Sequence, residues 1–211
     1  MEADFWHQRW QTNEIGFHEA VPNPMLTQYL GRLPIAPGDT VLVPLCGKSH
    51  DLTWLTQQGY QVVGIELSKL AVEAYFEQIN QTPAIDELDN FTRYRGEQIT
   101  IYVGNFFDVT ADIVGTINAI YDRAALVAMP RDMRKEYAKH LLAISAKAPK
   151  LLVTFEYDQS IMDGPPFSLS EQEVREHYDS HYDITRAFEQ TVPGKLRGTE
   201  AKESVWVALP L

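Results

Sequence analysis

The stretch TVLVPLCGKSHDLTWLTQQGYQVVGIE, residues 40–66, decides the architecture. Residues 40–43 (TVLV) are a short β-rich run behind the turn signal Pro37-Gly38-Asp39. A helix is expected over 49–58, with Leu52 and Leu55 on one face and Gly59 ending it. Residues 60–65 (YQVVGI) then read as a second strand. Strand, tight turn, helix and strand in this order make a β/α/β unit, the connection that parallel strands require.

Working outward, the same rhythm continues. Ser68 can cap a helix whose Val72, Tyr75, Phe76 and Ile79 recur at helical spacing. Residues 82–98 are polar, contain Pro83 and Gly96, and read as a loop or insertion. Strands are expected at 99–103 (ITIYV), 117–121 (INAIY) and 150–157 (KLLVTFEY), with a long helix between the last two. Pro130 suits that helix's first turn, and Met133, Tyr137, Leu141 and Ile144 share its face. Ser170 and Glu173 form a capping box. Residues 184–190 and 204–209 form a closing pair of strands around a loop with Pro193, Gly194 and Gly198. The pattern describes an open α/β fold, a mostly parallel sheet with an antiparallel edge hairpin. It is expected as a single domain over 1–211, with 1–36 as an N-terminal lid or cap segment and 37–211 as the α/β core.

Composition excludes several classes. An apolar content of 45% and a charged content of 22% are those of an ordinary folded chain. A net charge of −11 without Lys/Arg clusters argues against nucleic acid and anionic membranes as partners. The N-terminus lacks a signal-peptide core and no run of about 18 apolar residues occurs, so a cytoplasmic protein is expected. Cys46 is the only cysteine and the histidines are scattered, so neither a disulfide nor a metal site is expected.

Sheets of this kind bind ligands at the carboxyl ends of their strands, near the point where the strand order reverses. Pro44-Leu45-Cys46-Gly47-Lys48-Ser49 fills the first such end. Gly47 permits close backbone approach and the helix start offers free N–H groups; an ordinary strand-to-helix turn is the competing reading. Neither GxxxxGK[ST] nor GxGxxG is present. Glu66 closes the second strand about 20 residues further on, where an acid can accept both hydroxyls of an adenosine ribose. Its competing role is to face a helix dipole. Gly104-Asn105-Phe106-Phe107-Asp108 could cover an adenine, although Phe106 as core and Asp108 as cap fit equally. Arg123, after Asp122, places a fixed cation at the cleft for a carboxylate or an anionic substrate; a surface pair with Asp122 is the alternative. Phe5, Trp6, Trp10 and Phe17 suggest a segment folding over the cleft, against the reading of a helix docked on the sheet. Gly164-Pro165-Pro166-Phe167 suits a rigid wall for a flat ring, and is also a common kind of turn.

Five ordered motifs, FWHQRWQTNEIGFH (5–18), PLCGKSHDLTWL (44–55), VVGIELS (62–68), YDRAALVAM (121–129) and GPPFSLS (164–170), cover almost the whole chain, which through them resembles the thiopurine S-methyltransferase family. The resemblance implies a Rossmann-like class I methyltransferase with a mostly parallel seven-stranded sheet and an antiparallel edge strand. It implies S-adenosyl-L-methionine as cofactor, with contacts on Trp10, Leu45, Glu66 and Arg123 and with Asn105 and Phe106 beside the adenine. The substrate pocket it implies holds Phe17, Arg123, Pro165 and Pro166, and a further family arginine falls on Lys195 or Arg197. The reaction implied is in-line transfer of the methyl group to the sulfur of an aromatic or heterocyclic thiol such as a thiopurine. Such thiols ionise near neutral pH, so no general base is expected; positioning carries the rate, and Asp122 is a minor candidate for proton handling. A small-molecule thiol partner and a monomer are expected. The same chemistry on other small thiols or on selenium or tellurium species, an NAD-dependent oxidoreductase, and a non-catalytic nucleotide-binding module remain the alternatives.

Overall fold

A computed structural model describes residues 3–211. The core of the fold is five parallel strands: β1 (Thr40–Pro44), β2 (Gln61–Glu66), β5 (Ile99–Val103), β6 (Ala119–Arg123) and β7 (Lys150–Glu156). Two further strands, β8 (Tyr182–Thr191) and β9 (Lys202–Pro210), run antiparallel at the end beyond β7. These are the seven strands that the resemblance implies, ordered β5-β2-β1-β6-β7-β9-β8, and the order reverses between β1 and β6.

The sheet has two more strands than expected. The segment 82–98, read as a loop, forms an antiparallel hairpin of β3 (Ala84–Glu87) and β4 (Thr92–Arg95), and β4 pairs with β5, making nine strands. Its polarity hid it: within these two strands only Tyr94 is buried. The exposed face is held instead by charge, since the Asp86 Oδ2 accepts from Arg93 at 3.0 Å and from Arg95 at 3.0 Å. Phe91 in the turn packs under Gly104, where an added Cβ would lie 2.5 Å from its ring.

Because side chains alternate along a strand, each central strand feeds two cores. Val41 and Val43, Tyr121, Leu151 and Val153, and Val205 and Val207 meet α3 (His50–Gln57) and α4 (Lys69–Gln78) on one side. Leu42, Ile120, Leu152 and Trp206 meet α5 (Ala111–Val114), α6 (Arg131–Ile144) and α7 (Glu171–Tyr178) on the other. The caps follow the sequence: Ser49 and Ser68 accept from the first turns of α3 and α4. Ser170 accepts from the Glu173 N–H of α7, while the Glu173 carboxylate turns away to Arg134 at 2.6 Å, so only half of a capping box forms.

The segment 1–36 divides in two, with residues 1 and 2 outside the described residues. Helix α1 (Ala3–Gln11) lies over the carboxyl edge of the sheet, as described below. Helix α2 (Pro24–Tyr29), capped by Asn23, buries Met25 and Leu26 in the α3/α4 core, so this half is scaffold.

Asp122 and Lys150 put two ionisable groups in the α6/α7 core, both fully buried. Asp122 accepts from the Leu126 N–H at 3.1 Å and the Tyr137 hydroxyl at 2.9 Å. Among the described residues the Lys150 ammonium has no hydrogen-bond partner, and it lies 3.7 Å from the centre of the Tyr178 ring. Burial lowers it from 10.5 to about 8, against the pull of Asp122. Between those values the unfolded chain holds a proton that the folded chain has released, so stability gains with rising pH in that window. The expected result is a urea midpoint that climbs from pH about 7.5 to about 9.5 in the wild type relative to Lys150→Met. Parallel curves for the two proteins would refute it.

Candidate active site

The turn after β1 is shaped by its backbone. Leu45 and Gly47 both have positive φ, 50° and 53°. The Cys46 N–H donates to the Ile65 carbonyl, drawing the turn against the end of β2. Glu66, 5% exposed at that end, holds the turn by its side chain: Oε2 accepts from the Gly47 N–H and Oε1 from the Ser68 N–H, both at 2.8 Å. Burial raises this carboxyl above the usual range, opposed by the backbone N–H groups that it accepts.

Gly47 is also where α1 comes down. A Cβ there would lie 3.1 Å from the Trp10 ring, so the missing side chain leaves space for the indole. Trp10 meets Phe17 edge-on at 5.5 Å, and Trp6 meets Phe17 at 5.7 Å. The strand end opposite secures this segment: Arg123 donates to the Phe17 carbonyl at 3.1 Å and to Glu19 at 2.6 Å. Arg123 therefore pairs with Glu19, and not with its neighbour Asp122, whose side chain points to the other face of the sheet. Ala124, with φ 59°, turns the chain out of β6.

Between these parts lies a cavity of about 510 Å³ at the carboxyl ends of β1, β2 and β6. Trp10, Leu45, Glu66 and Arg123 line it together with Phe17, Pro165 and Pro166. Pro165 and Pro166, each after a cis peptide bond, are fixed by their carbonyls, which accept from Arg197 at 2.9 Å and from the Tyr157 hydroxyl at 2.6 Å. Of the two candidates in the last loop, Arg197 lines the cavity and Lys195 does not. Asn105 and Phe106 are not brought to it. Phe106 is packed between Tyr137 and His140, with ring centres at 4.9 and 5.1 Å, and Asn105 caps a short 3-10 turn. Asp122 is likewise absent from the lining.

The sequence reading missed Asp51, Tyr121, Glu19, Phe155 and Glu203, all of which line the cavity. Asp51 reads in sequence as a first-turn acid, Tyr121 and Phe155 as strand core, and Glu203 as an edge residue. Glu19, two positions after Phe17, carried no motif of its own. Burial raises the Glu203 carboxyl, and the Gln190 amide that donates to it at 3.0 Å opposes this. His18, stacked on His50 at 5.5 Å, is lowered by burial and then by the nearby Lys48. Among the described residues no cluster of metal-ligating side chains occurs, and no helix is long and apolar enough to cross a membrane.

A sheet of this order, with a cavity at its switch point and a buried acid ending β2, has the Rossmann-like class I fold of S-adenosylmethionine-dependent methyltransferases. Among solved structures it resembles a Burkholderia thailandensis 1,6-didemethyltoxoflavin-N1-methyltransferase bound to S-adenosylhomocysteine, with a TM-score of 0.66 at 17% identity over 98% of this chain and 87% of that one. The family model for thiopurine S-methyltransferase matches residues 1–207, and the chain belongs to that family. Relatives named thiopurine S-methyltransferase include one from Xanthobacter autotrophicus, 47% identical over 98% of both chains. Another, from Teredinibacter turnerae, is 49% identical over 98% of this chain and 96% of its own.

Proposed function

We propose that this chain methylates the sulfur of aromatic or heterocyclic thiols such as thiopurines. The observation that carries the reading is the lining of the cavity, to which Phe17, Phe155, Pro165 and Pro166 contribute apolar surface and Arg123 a guanidinium. A flat ring suits apolar walls of this kind, and a thiolate suits a fixed cation.

The residues present fit the cofactor. Gly47 leaves room at the backbone beside Trp10, and Glu66 keeps acceptor capacity beyond the two N–H groups that it already binds. In this reading Glu66 takes the ribose hydroxyls, Leu45 and Trp10 enclose the nucleoside, and the turn at Gly47 admits its amino-acid end. S-Adenosylmethionine, when bound, supplies an electrophilic methyl group on a sulfonium sulfur. The α1 segment, closed over Gly47, keeps water from the acceptor sulfur. Arg123 holds that sulfur as the thiolate, so no side chain is assigned a proton transfer.

Labelled S-adenosylmethionine offered with a panel of thiopurines, thiophenols, aliphatic thiols and selenite tests the reading. Aromatic and heterocyclic thiols are expected to be methylated with a kcat/KM at least about tenfold above that of aliphatic thiols. Transfer confined to aliphatic thiols or selenite would overturn the assignment of the acceptor.

Glu19 competes for the cation that the acceptor needs. Glu19→Gln is expected to lower KM for anionic thiols by about threefold to tenfold, because a neutral amide gives up Arg123 more readily. The KM of a neutral acceptor should not move. Steady-state kinetics on one acceptor of each charge decide the point, and an equal shift for both would refute it.

A further inference from the structure

Asp51 has an incomplete set of partners. It stands in the first turn of α3, 2% exposed, and lines the cavity. Its Oδ1 accepts from the Asn23 N–H at 2.7 Å and its Oδ2 from the Tyr121 hydroxyl at 3.0 Å. Both donors are neutral. Among the described residues no lysine, arginine or histidine forms an ion pair with it, although Arg9, Arg123, Arg197, Lys48 and His18 line the same cavity; Arg123 pairs with Glu19, Arg9 with Glu14, Arg197 donates to the Pro165 carbonyl, and His18 feels Asp51 only as a nearby charge.

Two neutral donors leave a buried carboxylate its full charge, so a cation brought within hydrogen-bond reach of it is stabilised. Each Asp51 oxygen has a lone pair to spare beyond the donor that it holds. The surrounding bonds fix the carboxylate in place, since Asn23 anchors it on one side and Tyr121 of β6 on the other. It therefore sits where the strand order reverses, one helical turn after the Gly47 turn. A compact cation with several N–H donors would fill the remaining acceptor sites, and a ligand in the cavity can bring one.

We infer that Asp51 receives the α-ammonium group of the amino-acid end of the cofactor. The inference rests on the orientation proposed above, with the ribose on Glu66 and the amino-acid end at Gly47. Asn23 gives the position a second consequence, because its side-chain amide donates to Glu19 at 3.1 Å while its backbone N–H donates to Asp51. The ammonium seat and the Arg123–Glu19 pair that secures the N-terminal segment thus share one residue.

The test is calorimetry with S-adenosylhomocysteine, which carries the ammonium group, and with 5′-methylthioadenosine, which keeps the adenosine and thioether but has no amino-acid end. Asp51→Asn preserves the shape of the side chain and an acceptor for Asn23. The variant is expected to bind S-adenosylhomocysteine about 10- to 100-fold more weakly and methylthioadenosine within about twofold of wild type. Equal weakening of both ligands would make Asp51 a prop for the fold and overturn the inference, as would no weakening of either. A measurement on the wild type guards against a variant that fails to fold: deaminated S-adenosylhomocysteine should bind at least about tenfold more weakly than the parent compound. Equal affinity for the two would also overturn the inference. A wild type that binds none of these nucleosides defeats the cofactor orientation itself, an outcome distinct from failure at Asp51.

Discussion

Glu66→Gln is expected to weaken the binding of S-adenosylmethionine by about two orders of magnitude, because hydrogen bonds to a charged group are worth about 1.5–3 kcal/mol each. The carboxylate already joins two segments, accepting from Gly47 on one side and Ser68 on the other. An amide has a single acceptor oxygen, so one backbone N–H would face an NH2 group, and the vacant acceptor sites for ribose would fall as well. The variant should lose about 1–2 kcal/mol of stability on the first count and most of its ribose recognition on the second. Calorimetry with S-adenosylhomocysteine and its 2′,3′-dideoxy analogue separates the two effects. The wild type should discriminate strongly between these ligands and the variant hardly at all. A dissociation constant for Glu66→Gln within threefold of wild type would sink the ribose assignment.

Arg123→Ala should have the second large effect, through two routes at once. Its guanidinium lines the cavity, where the proposed function gives it the acceptor sulfur, and also binds the Phe17 carbonyl and the Glu19 carboxylate. A charge-assisted contact that ionises and places the acceptor is worth about 1.5–3 kcal/mol, so its loss corresponds to a fall of about tenfold to a hundredfold. A fall of that order in kcat/KM for an anionic thiol is the expected result, with a smaller fall for a neutral acceptor. The second route reads out independently: amides of residues 5–19 should exchange with solvent faster, since the ties to β6 have gone. Unchanged turnover together with unchanged exchange would show that Arg123 does neither job.

Much of the fold could be read from sequence because its signals are local. Apolar runs of four to seven residues, Ser49 and Ser68 ahead of helical spacing, and Gly59 at a helix end each declare an element without reference to its neighbours. That Gly47 and Glu66 would lie at the cavity could be read for the same reason, since both stand at strand ends of a β/α/β unit, whereas Leu45 came from the family resemblance. The partnerships were not legible. Glu19 reaches Arg123 and Asp51 reaches Tyr121 across separations of 104 and 70 residues, and nothing in the spacing of either pair announces the contact. Phe106 shows the opposite limit: its position beside a strand end suited an adenine, yet Tyr137 and His140 claim its ring. Similarly, Asp122 and Arg123 are adjacent in sequence but alternate across the sheet, one serving the core and the other the cavity.

The added hairpin bears on how the protein behaves at high concentration. Strand β5 has Ile99 and Ile101 buried, and without β4 its row of amides would be an apolar template open to another chain. With the hairpin in place, the margin presented to solvent is instead a four-residue strand with three exposed side chains, the remaining one being Asp86 in its arginine clamp. A flank this short, with Asp86 and Glu87 on it, offers less purchase for intermolecular pairing than the β5 edge would, although Ile85 is exposed. The hairpin thereby covers the β5 edge, and its removal would uncover that row of amides.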